Sequence, residues 1–176
     1  KKLTRLFLAG MLLLNITTPY YSAQAESEDS NNGVDEIIAN MTLEEKVVQT
    51  LMPDFRNWEV DGEEVGVTEL NDDIRQIFAD YQFGGVILFA ENVVETEQTA
   101  RLVYQMQASQ VESDHLPLLI GIDQEGGIVN RLGSGTQLPG NMALGATNDP
   151  EYSKLAGDII GSELEALGIN VNFAPS

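Results

Sequence analysis

LPLLIGIDQEGGIVNRLG, residues 116–133, joins a continuous apolar run to a charged loop that contains a glycine pair. The run from Leu118 to Ile122 shows no polar alternation, which is typical of a strand buried on both faces of a parallel sheet. Asp123 follows the run directly, and Arg131 lies eight residues further on. The stretch therefore predicts a buried strand whose carboxyl end leads into either a binding site or an ordinary charged turn.

Three other apolar runs of strand length occur along the chain, and helical patterns separate them. The runs are TLMPDF (50–55), GGVILFA (84–90) and INVNFAP (169–175). Apolar residues recur at helical spacing in three segments, 68–82, 96–110 and 155–167. The spacing of Thr42 and Glu45 matches a capping box and predicts the start of an earlier helix. Buried strands that alternate with helices predict an α/β protein with a parallel sheet.

Two parallel architectures fit this alternation. A doubly wound nucleotide-binding sheet would carry G-x-G-x-x-G after its first strand, and the chain lacks that pattern there. A (β/α)8 barrel takes about 250 residues, whereas this chain of 176 residues stops just after its fourth predicted strand. We therefore predict a (β/α)8 TIM-like barrel of which residues 34–176 are the N-terminal half, with about four βα units. Because the chain also lacks an initiator methionine, we expect a fragment at both ends.

The beginning of the chain has the order of a secretory signal peptide. Basic residues in KKLTR precede the apolar run LFLAGMLLL (6–14), and an A-x-A site ends at Ala25. This apolar run is too short to cross a bilayer, which takes about 20 residues. We expect residues 1–25 to be removed on secretion and residues 26–33 to form a flexible acidic leader. We also expect no stable membrane anchor.

The chain is strongly acidic and contains no cysteine. It has 28 acidic and nine basic residues, and removal of residues 1–25 would take away three bases and no acid, leaving a formal charge of −22. Such a field repels nucleic acid and anionic membranes, so neither is expected as a partner. A single histidine and no cysteine also argue against a conventional zinc site, and no metal is expected.

Polar residues follow each predicted strand, where the active site of a parallel barrel lies. The candidates are Asp54 and Arg56 after the first strand, Glu91 and Asn92 after the second, Asp123, Glu125 and Arg131 after the third, and Asn172 on the fourth. Carboxylates accept hydrogen bonds from sugar hydroxyls strongly, so such a rim suits a hydroxyl-rich ligand. Polar loops also end any parallel sheet, which leaves a purely structural role open for each residue. Asp123 and Glu125 lie in one turn, and this placement argues against a glycosidase carboxylate pair.

Five motifs give the chain a resemblance to glycoside hydrolase family 3, and within it to the bacterial β-N-acetylhexosaminidases. They are MTLEEKVVQTLMPDF (41–55), FGGVILFAENV (83–93), LLIGIDQEGGIVNRL (118–132), LPGNMALGAT (138–147) and LGINVNFAPS (167–176). The resemblance implies that Asp123 and Arg131 belong to the subsite for the terminal N-acetylglucosamine. Asp54, Arg56 and Glu125 are further candidate substrate ligands from their positions alone.

The resemblance also implies an activity and a setting, namely a secreted, retaining exo-β-N-acetylhexosaminidase associated with the cell wall that needs no cofactor. Its substrate would be a muropeptide or chito-type glycan with terminal β-linked N-acetylglucosamine, as in peptidoglycan turnover. The family's nucleophilic aspartate and its histidine–aspartate acid/base pair are expected beyond Ser176, so no catalytic residue is assigned and the fragment itself is expected to be inactive. Two alternatives stay open: a non-catalytic secreted carbohydrate-binding protein, and a β-glucosidase or phosphorylase of the same family.

Overall fold

A computed structural model describes residues 29–174 of the chain. The predicted signal peptide, residues 1–25, lies outside the described residues. The chain divides into two compact units after Ala39, and the described part of the first unit belongs to helix α1, Asp29–Asn40. Residues 29–33, which belong to the predicted leader, are thus helical. Low apolar content argues against a buried segment, but it does not prevent the backbone hydrogen bonds that make a helix.

The second unit opens with helix α2, Leu43–Val48, and its capping box confirms the predicted start. The Glu45 N–H donates to Thr42 Oγ1 at 3.2 Å, and the Thr42 N–H donates to Glu45 Oε2 at 2.6 Å. The apolar run that follows does not form the full strand that its composition predicts, since only Asp54 forms a bridge, parallel to Ile87. Pro53 has no N–H to donate, and this shortens the ladder.

A three-stranded parallel sheet forms the centre of this unit. Its strands are β3 (Gly85–Leu88), β4 (Leu119–Ile122) and β5 (Val171–Asn172), and they are neighbours in that order. Helices separate them in the chain: α3 (Asp72–Asp80) precedes β3, α4 (Thr96–Glu112) lies between β3 and β4, and α5 (Asn141–Ala146) and α6 (Pro150–Ala166) lie between β4 and β5. The α/β class and three of the four predicted strands are confirmed.

The two faces of the sheet differ in burial. Four side chains on one face are fully buried and pack in one core with α3 and α4: Val86, Leu88, Ile120 and Ile122. On the other face Leu119 is 52 % exposed and Phe173 is also exposed. The prediction of a strand buried on both faces therefore holds for one face only within the described residues. Gly121 lies beneath the Phe173 ring, where a Cβ would approach the ring to 2.6 Å.

In the second unit, a hairpin and a short helix are absent from the sequence-based prediction. Strands β1 (Asn57–Val60) and β2 (Glu63–Gly66) form an antiparallel hairpin directly after the Asp54 bridge. Its turn residues, Asp61 and Gly62, both have positive φ, of 53° and 85°. An Asp-Gly pair favours this type of turn, so the signal is present in the sequence. The second element is the short helix α5.

Three phenylalanines, Phe55, Phe78 and Phe83, pack together in the core below the carboxyl ends of the strands. Their ring centroids lie 5.3 to 6.3 Å apart. These rings bury the loop after the first bridge against α3 and thereby fix where Arg56 leaves the core. No helix between residues 29 and 174 combines the length and the hydrophobicity that crossing a bilayer requires.

Candidate functional site

The carboxyl ends of the parallel strands meet at one edge of the sheet. β3 ends at Leu88 and is followed by Phe89, β4 ends at Ile122 and is followed by Asp123, and β5 ends at Asn172. In open and closed parallel α/β sheets, ligands bind at this edge. This edge is therefore the expected place for a ligand, and most of the polar residues that follow the strands in the sequence belong to its loops.

Asp123 and Arg131 form an ion pair at this edge. Arg131 Nη2 lies 3.4 Å from Asp123 Oδ2, and the two side chains are 26 % to 27 % exposed. A carboxylate accepts at about four sites and a guanidinium has five N–H donors, so this one contact leaves further hydrogen-bonding capacity on both groups. The Arg131 Nε–H is buried and has no hydrogen-bond partner among the described residues. A ligand that reached the pair could thus accept from the guanidinium and donate to the carboxylate.

Arg56 joins this pair through an aromatic ring. Its guanidinium carbon lies 3.5 Å from the centroid of the Phe89 ring, and that of Arg131 lies 5.8 Å from the same centroid. Stacking on a ring face attracts a cation and also limits how far a long side chain can move. Phe89 therefore gathers the two candidate arginines, Arg56 and Arg131, at one point of the rim.

Asp54 and Glu125 are placed less centrally. Asp54 is exposed, and its carboxylate accepts from the Arg56 N–H at 3.3 Å, so it shapes the start of that loop. Glu125 is half-buried, and its N–H donates to the Val129 carbonyl at 2.9 Å. Glu125 also lines a cavity of about 460 Å³ beside α5, α6 and the end of β5. Neither position tests the predicted role as a substrate ligand.

Glycines allow the loop after Asp123 to turn back sharply. Gly126 and Gly127 have φ values of 82° and 62°, in the region that side-chain-bearing residues rarely adopt. The Gly127 N–H donates to the Leu138 carbonyl at 2.8 Å, and a Cβ on Gly127 would lie 2.8 Å from Gly140. The close approach fixes this loop against the segment before α5.

Two asparagines expected among the rim groups are used inside the protein instead. Asn92 is buried, and its Nδ2 donates to the carbonyls of Phe55 at 3.1 Å and Val67 at 3.0 Å. Its Oδ1 accepts from the Phe89 N–H at 2.9 Å. The amide thereby ties the loop that carries Arg56 to the loop that carries Phe89. Its hydrogen-bonding capacity is used up by the backbone.

The second of these asparagines, Asn172, holds the residue next to Asp123. Its Oδ1 accepts from the Gln124 N–H and its Nδ2 donates to the Gln124 carbonyl, both at 2.9 Å. Gln124 is itself buried, and it is not among the residues predicted for the site. Its polar side chain at the end of an apolar strand is the signal that could have found it. Glu91, the remaining candidate, is exposed.

The chain contains a single tryptophan and a single histidine. Trp58 is half-buried on β1 and packs against the core. His115 lies in the loop before β4, at the opposite end of that strand from Asp123. Within the described part of the chain, no group of three His, Asp or Glu side chains is arranged to hold a metal ion.

Comparison with known proteins gives a consistent family assignment. The model of the glycosyl hydrolase family 3 N-terminal domain matches residues 42–176. Beta-hexosaminidase A of Pseudoalteromonas piscicida is 39 % identical over 148 residues, which cover 77 % of this chain and 25 % of that protein. The beta-hexosaminidase of Thiobacillus denitrificans is 40 % identical over 119 residues, covering 64 % of this chain and 32 % of that protein.

A solved structure gives the same assignment. The glycoside hydrolase family 3 β-N-acetylglucosaminidase from Paenibacillus sp. str. FPU-7 superposes with a TM-score of 0.68 at 48 % identity. The match covers 77 % of this chain and 24 % of that structure. The chain thus spans between about a quarter and a third of the length of these relatives.

Proposed function

The chain belongs to glycosyl hydrolase family 3, and from this we propose that the full-length gene product is a retaining exo-β-N-acetylhexosaminidase in which residues 42–176 help to bind the terminal sugar. The observation that carries the proposal is the Asp123–Arg131 pair at the carboxyl end of β4. It combines a carboxylate and a guanidinium that are both half-buried and both only partly satisfied. The catalytic groups of the family are not assigned to any residue of this chain.

The pair suits a sugar because of its charges and its surroundings. A carboxylate that accepts from two hydroxyls holds them by charge-assisted bonds, which are about twice as strong as neutral ones. The exposed part of the Arg131 guanidinium offers N–H donors for a sugar hydroxyl or for an acetamido carbonyl. The Phe89 ring beneath Arg56 and Arg131 keeps both cations at the rim. Asp123 and Arg131 therefore bind and orient the sugar, and Arg56, Asp54 and Glu125 form the edge of the site.

The proposed frame of this site is the first part of a (β/α)8 barrel. Two features support it: every strand pairing in the central sheet is parallel, and strands that follow one another in sequence are neighbours. The parallel bridge from Asp54 to Ile87 adds a further member on the β3 side in the same order. In such a barrel all of these strand ends face one active site.

The proposed substrate class follows the relatives' names, and the proposed setting follows the start of the chain. Relatives named β-hexosaminidase and β-N-acetylglucosaminidase point to glycans with terminal β-linked N-acetylglucosamine, of which muropeptides and chito-type oligosaccharides are the proposed members. The basic start, apolar run and A-x-A site support secretion and a role in cell-wall turnover.

A substrate comparison on the purified full-length gene product tests the proposal. We expect turnover of an aryl β-N-acetylglucosaminide well above that of the matched β-glucoside, with the β-anomer of the free sugar as the first product in proton NMR. Preference for the glucoside would make the protein a β-glucosidase, and a requirement for phosphate would make it a phosphorylase. Sugar binding without turnover would leave a carbohydrate-binding protein. Each of these three results would overturn the proposal.

A further inference from the structure

Gln124 is a polar side chain in an apolar place. It follows Asp123 directly and is 1 % exposed. A buried amide is tolerated only when its donors and acceptor are satisfied, because an unpaired buried polar group destabilises the fold. The Gln124 Oε1 accepts from the Arg131 N–H at 2.8 Å and from the Leu132 N–H at 3.1 Å. Its Nε2 donates to Asn130 Oδ1. All three partners belong to the segment that presents the Arg131 guanidinium.

Gln124 is in turn held from the neighbouring strand. The Asn172 amide on β5 pairs with both the N–H and the carbonyl of Gln124. The side-chain amides of Asn172 and Gln124 therefore link the end of β5 to the backbone of Arg131. Between these fixed points the loop turns sharply at Gly126 and Gly127, whose positive φ values do not suit a regular helix or strand. Arg131 itself lies outside every helix and strand, so its N–H is held by the Gln124 side chain rather than by a ladder of backbone hydrogen bonds.

We propose that Gln124 is a positioning residue for sugar binding, acting through the backbone of Arg131 to hold its guanidinium beside Asp123 and over Phe89. This inference rests on the proposed function, in which Asp123 and Arg131 bind the sugar. Binding is strengthened when a side chain is held in its bound geometry beforehand, since less conformational freedom is lost on association. Gln124 supplies this restraint without touching the ligand.

A second glutamine provides the matched control. Gln107 on α4 is half-buried. Like Gln124, it makes two hydrogen bonds with backbone groups, to the Leu118 carbonyl at 2.9 Å and from the Leu118 N–H at 3.0 Å. Its partners lie at the start of β4, at the far end of the strand from Asp123. A methionine in place of either glutamine keeps the side-chain volume and removes the amide. Both variants lose stability, and only one of them should lose sugar binding.

The test is a double-mutant cycle in the full-length gene product, read on an aryl β-N-acetylglucosaminide. Gln124→Met is expected to lower kcat/KM about tenfold to hundredfold, whereas Gln107→Met leaves it unchanged. In an Arg131→Ala background the further loss from Gln124→Met should be less than about twofold, because the two residues act as one unit. An equal loss in both backgrounds would show that Gln124 does not act through Arg131 and would overturn the proposal.

A milder variant keeps the test decisive if Gln124→Met does not fold. Asn130→Ala removes the partner of the Gln124 Nε2 from a half-buried position. It should lower kcat/KM about twofold to tenfold in the wild-type background and have no effect in the Arg131→Ala background. Unchanged kcat/KM in a folded Asn130→Ala protein would contradict the proposal.

Amide hydrogen exchange separates this proposal from the proposed function. If the wild-type protein neither binds nor cleaves N-acetylglucosaminides, the proposed function fails on its own. Exchange at the Arg131 and Leu132 amides should still be faster in Gln124→Met, or in Asn130→Ala, than in wild type and in Gln107→Met. Unchanged exchange at these two amides would refute the positioning role whatever the activity.

Discussion

At both ends of strand β4, side-chain amides form hydrogen bonds with the backbone, but the two sets of bonds hold different parts of the molecule. At the amino end, the amides of Gln107 and Asn170 pair with the backbone of Leu118 and Ile120. At the carboxyl end, the Asn172 amide pairs with the backbone of Gln124. The first pair joins α4 and the start of β5 to the strand. The second begins a chain of contacts that ends at a charged loop.

The difference lies in what each glutamine holds. Gln107 binds the backbone of Leu118, which directly precedes β4 and carries no charged side chain, so its amide is expected to affect stability alone. Gln124 reaches across a glycine-containing loop to the N–H of Arg131, eight residues after Asp123. If Arg131 binds the sugar as proposed, the Gln124 amide contributes to binding and the Gln107 amide does not. Mutations at the two ends of β4 should accordingly separate activity from stability.

The largest expected effect is at the carboxyl end, from Asp123→Ala. Two charge-assisted hydrogen bonds to sugar hydroxyls are worth about 1.5–3 kcal/mol each. Their loss should lower kcat/KM on an aryl β-N-acetylglucosaminide roughly a hundredfold or more. Asp158→Ala is the control, because Asp158 forms the exposed ion pair with Lys154 at 2.9 Å, and such pairs contribute at most about 1 kcal/mol. A folded Asp123→Ala protein with near-native kcat/KM would remove Asp123 from the site.

A mutation in the middle of β4 should lower the free energy of unfolding and leave the kcat/KM of the folded protein unchanged. Ile120 is fully buried between the two ends, and Ile120→Ala leaves a cavity that should lower the free energy of unfolding by about 2–5 kcal/mol. Leu119→Ala is its control on the more exposed face and should cost far less. Urea unfolding of both variants measures this. Equal losses at the two positions would mean that the faces of the sheet do not differ in burial as described.

At the amino end, Gln107→Met should be costly for folding and neutral for the site. It removes the hydrogen bonds that the Gln107 amide makes with the N–H and the carbonyl of Leu118. The free energy of unfolding should therefore fall by about 1–3 kcal/mol. We expect kcat/KM of the folded protein to stay at the wild-type value. A loss of kcat/KM as large as that of Gln124→Met would abolish the distinction between the two ends.

The smallest expected effect lies outside the strand, in the capping box of α2. The backbone N–H of Thr42, followed by its hydroxyl, lowers the pKa of Glu45 below its ordinary value of 4.5. Because the folded pKa is lowered, Glu45 stabilises the protein fully above an unfolded-state pKa of 4.5, and this contribution is lost as the pH falls through the folded pKa.

The capping-box effect is measurable as a difference between variants. The urea midpoint of wild type should exceed that of Glu45→Gln above pH 4.5, and the two midpoints should converge at lower pH. Glu44→Gln, in the same turn but outside the capping box, should show no such convergence. A pH-independent difference between wild type and Glu45→Gln would contradict the assignment.

Much of this architecture is predictable from local patterns. The continuous apolar runs around Val86 and Ile120 predict buried parallel strands, and the Thr42–Glu45 spacing predicts a helix start, because each depends on neighbours in the chain. The turn of the β1–β2 hairpin has an equally local signal in Asp61 and Gly62, although the apolar pattern around it does not reveal the strands. The first strand is shorter than predicted, because the prediction rests on apolar content and does not account for the missing N–H of Pro53.

Only the charged residues of the candidate site can be predicted from the sequence. Asp123 and Arg131 stand at the end of a strand and in its loop, so their proximity follows from the sequence. The roles of Asn92, Gln124 and Asn172 do not, because an amide at a strand end can face solvent or bind backbone with equal ease. Which of these occurs depends on partners that are distant in sequence. For Gln124, in the loop after β4, that partner is Asn172 on β5.

The proposed sugar binding at Asp123 and Arg131 is tested most directly by a crystal structure of the full-length gene product with N-acetylglucosamine bound. We expect sugar hydroxyls within hydrogen-bond distance of the Asp123 carboxylate, and we expect the Arg131 guanidinium to contact the same sugar. The Gln124 amide should remain on the Arg131 N–H, without touching the ligand. A sugar bound elsewhere, with Asp123 and Arg131 paired only to each other, would contradict both the proposed site and the role of Gln124 in positioning it.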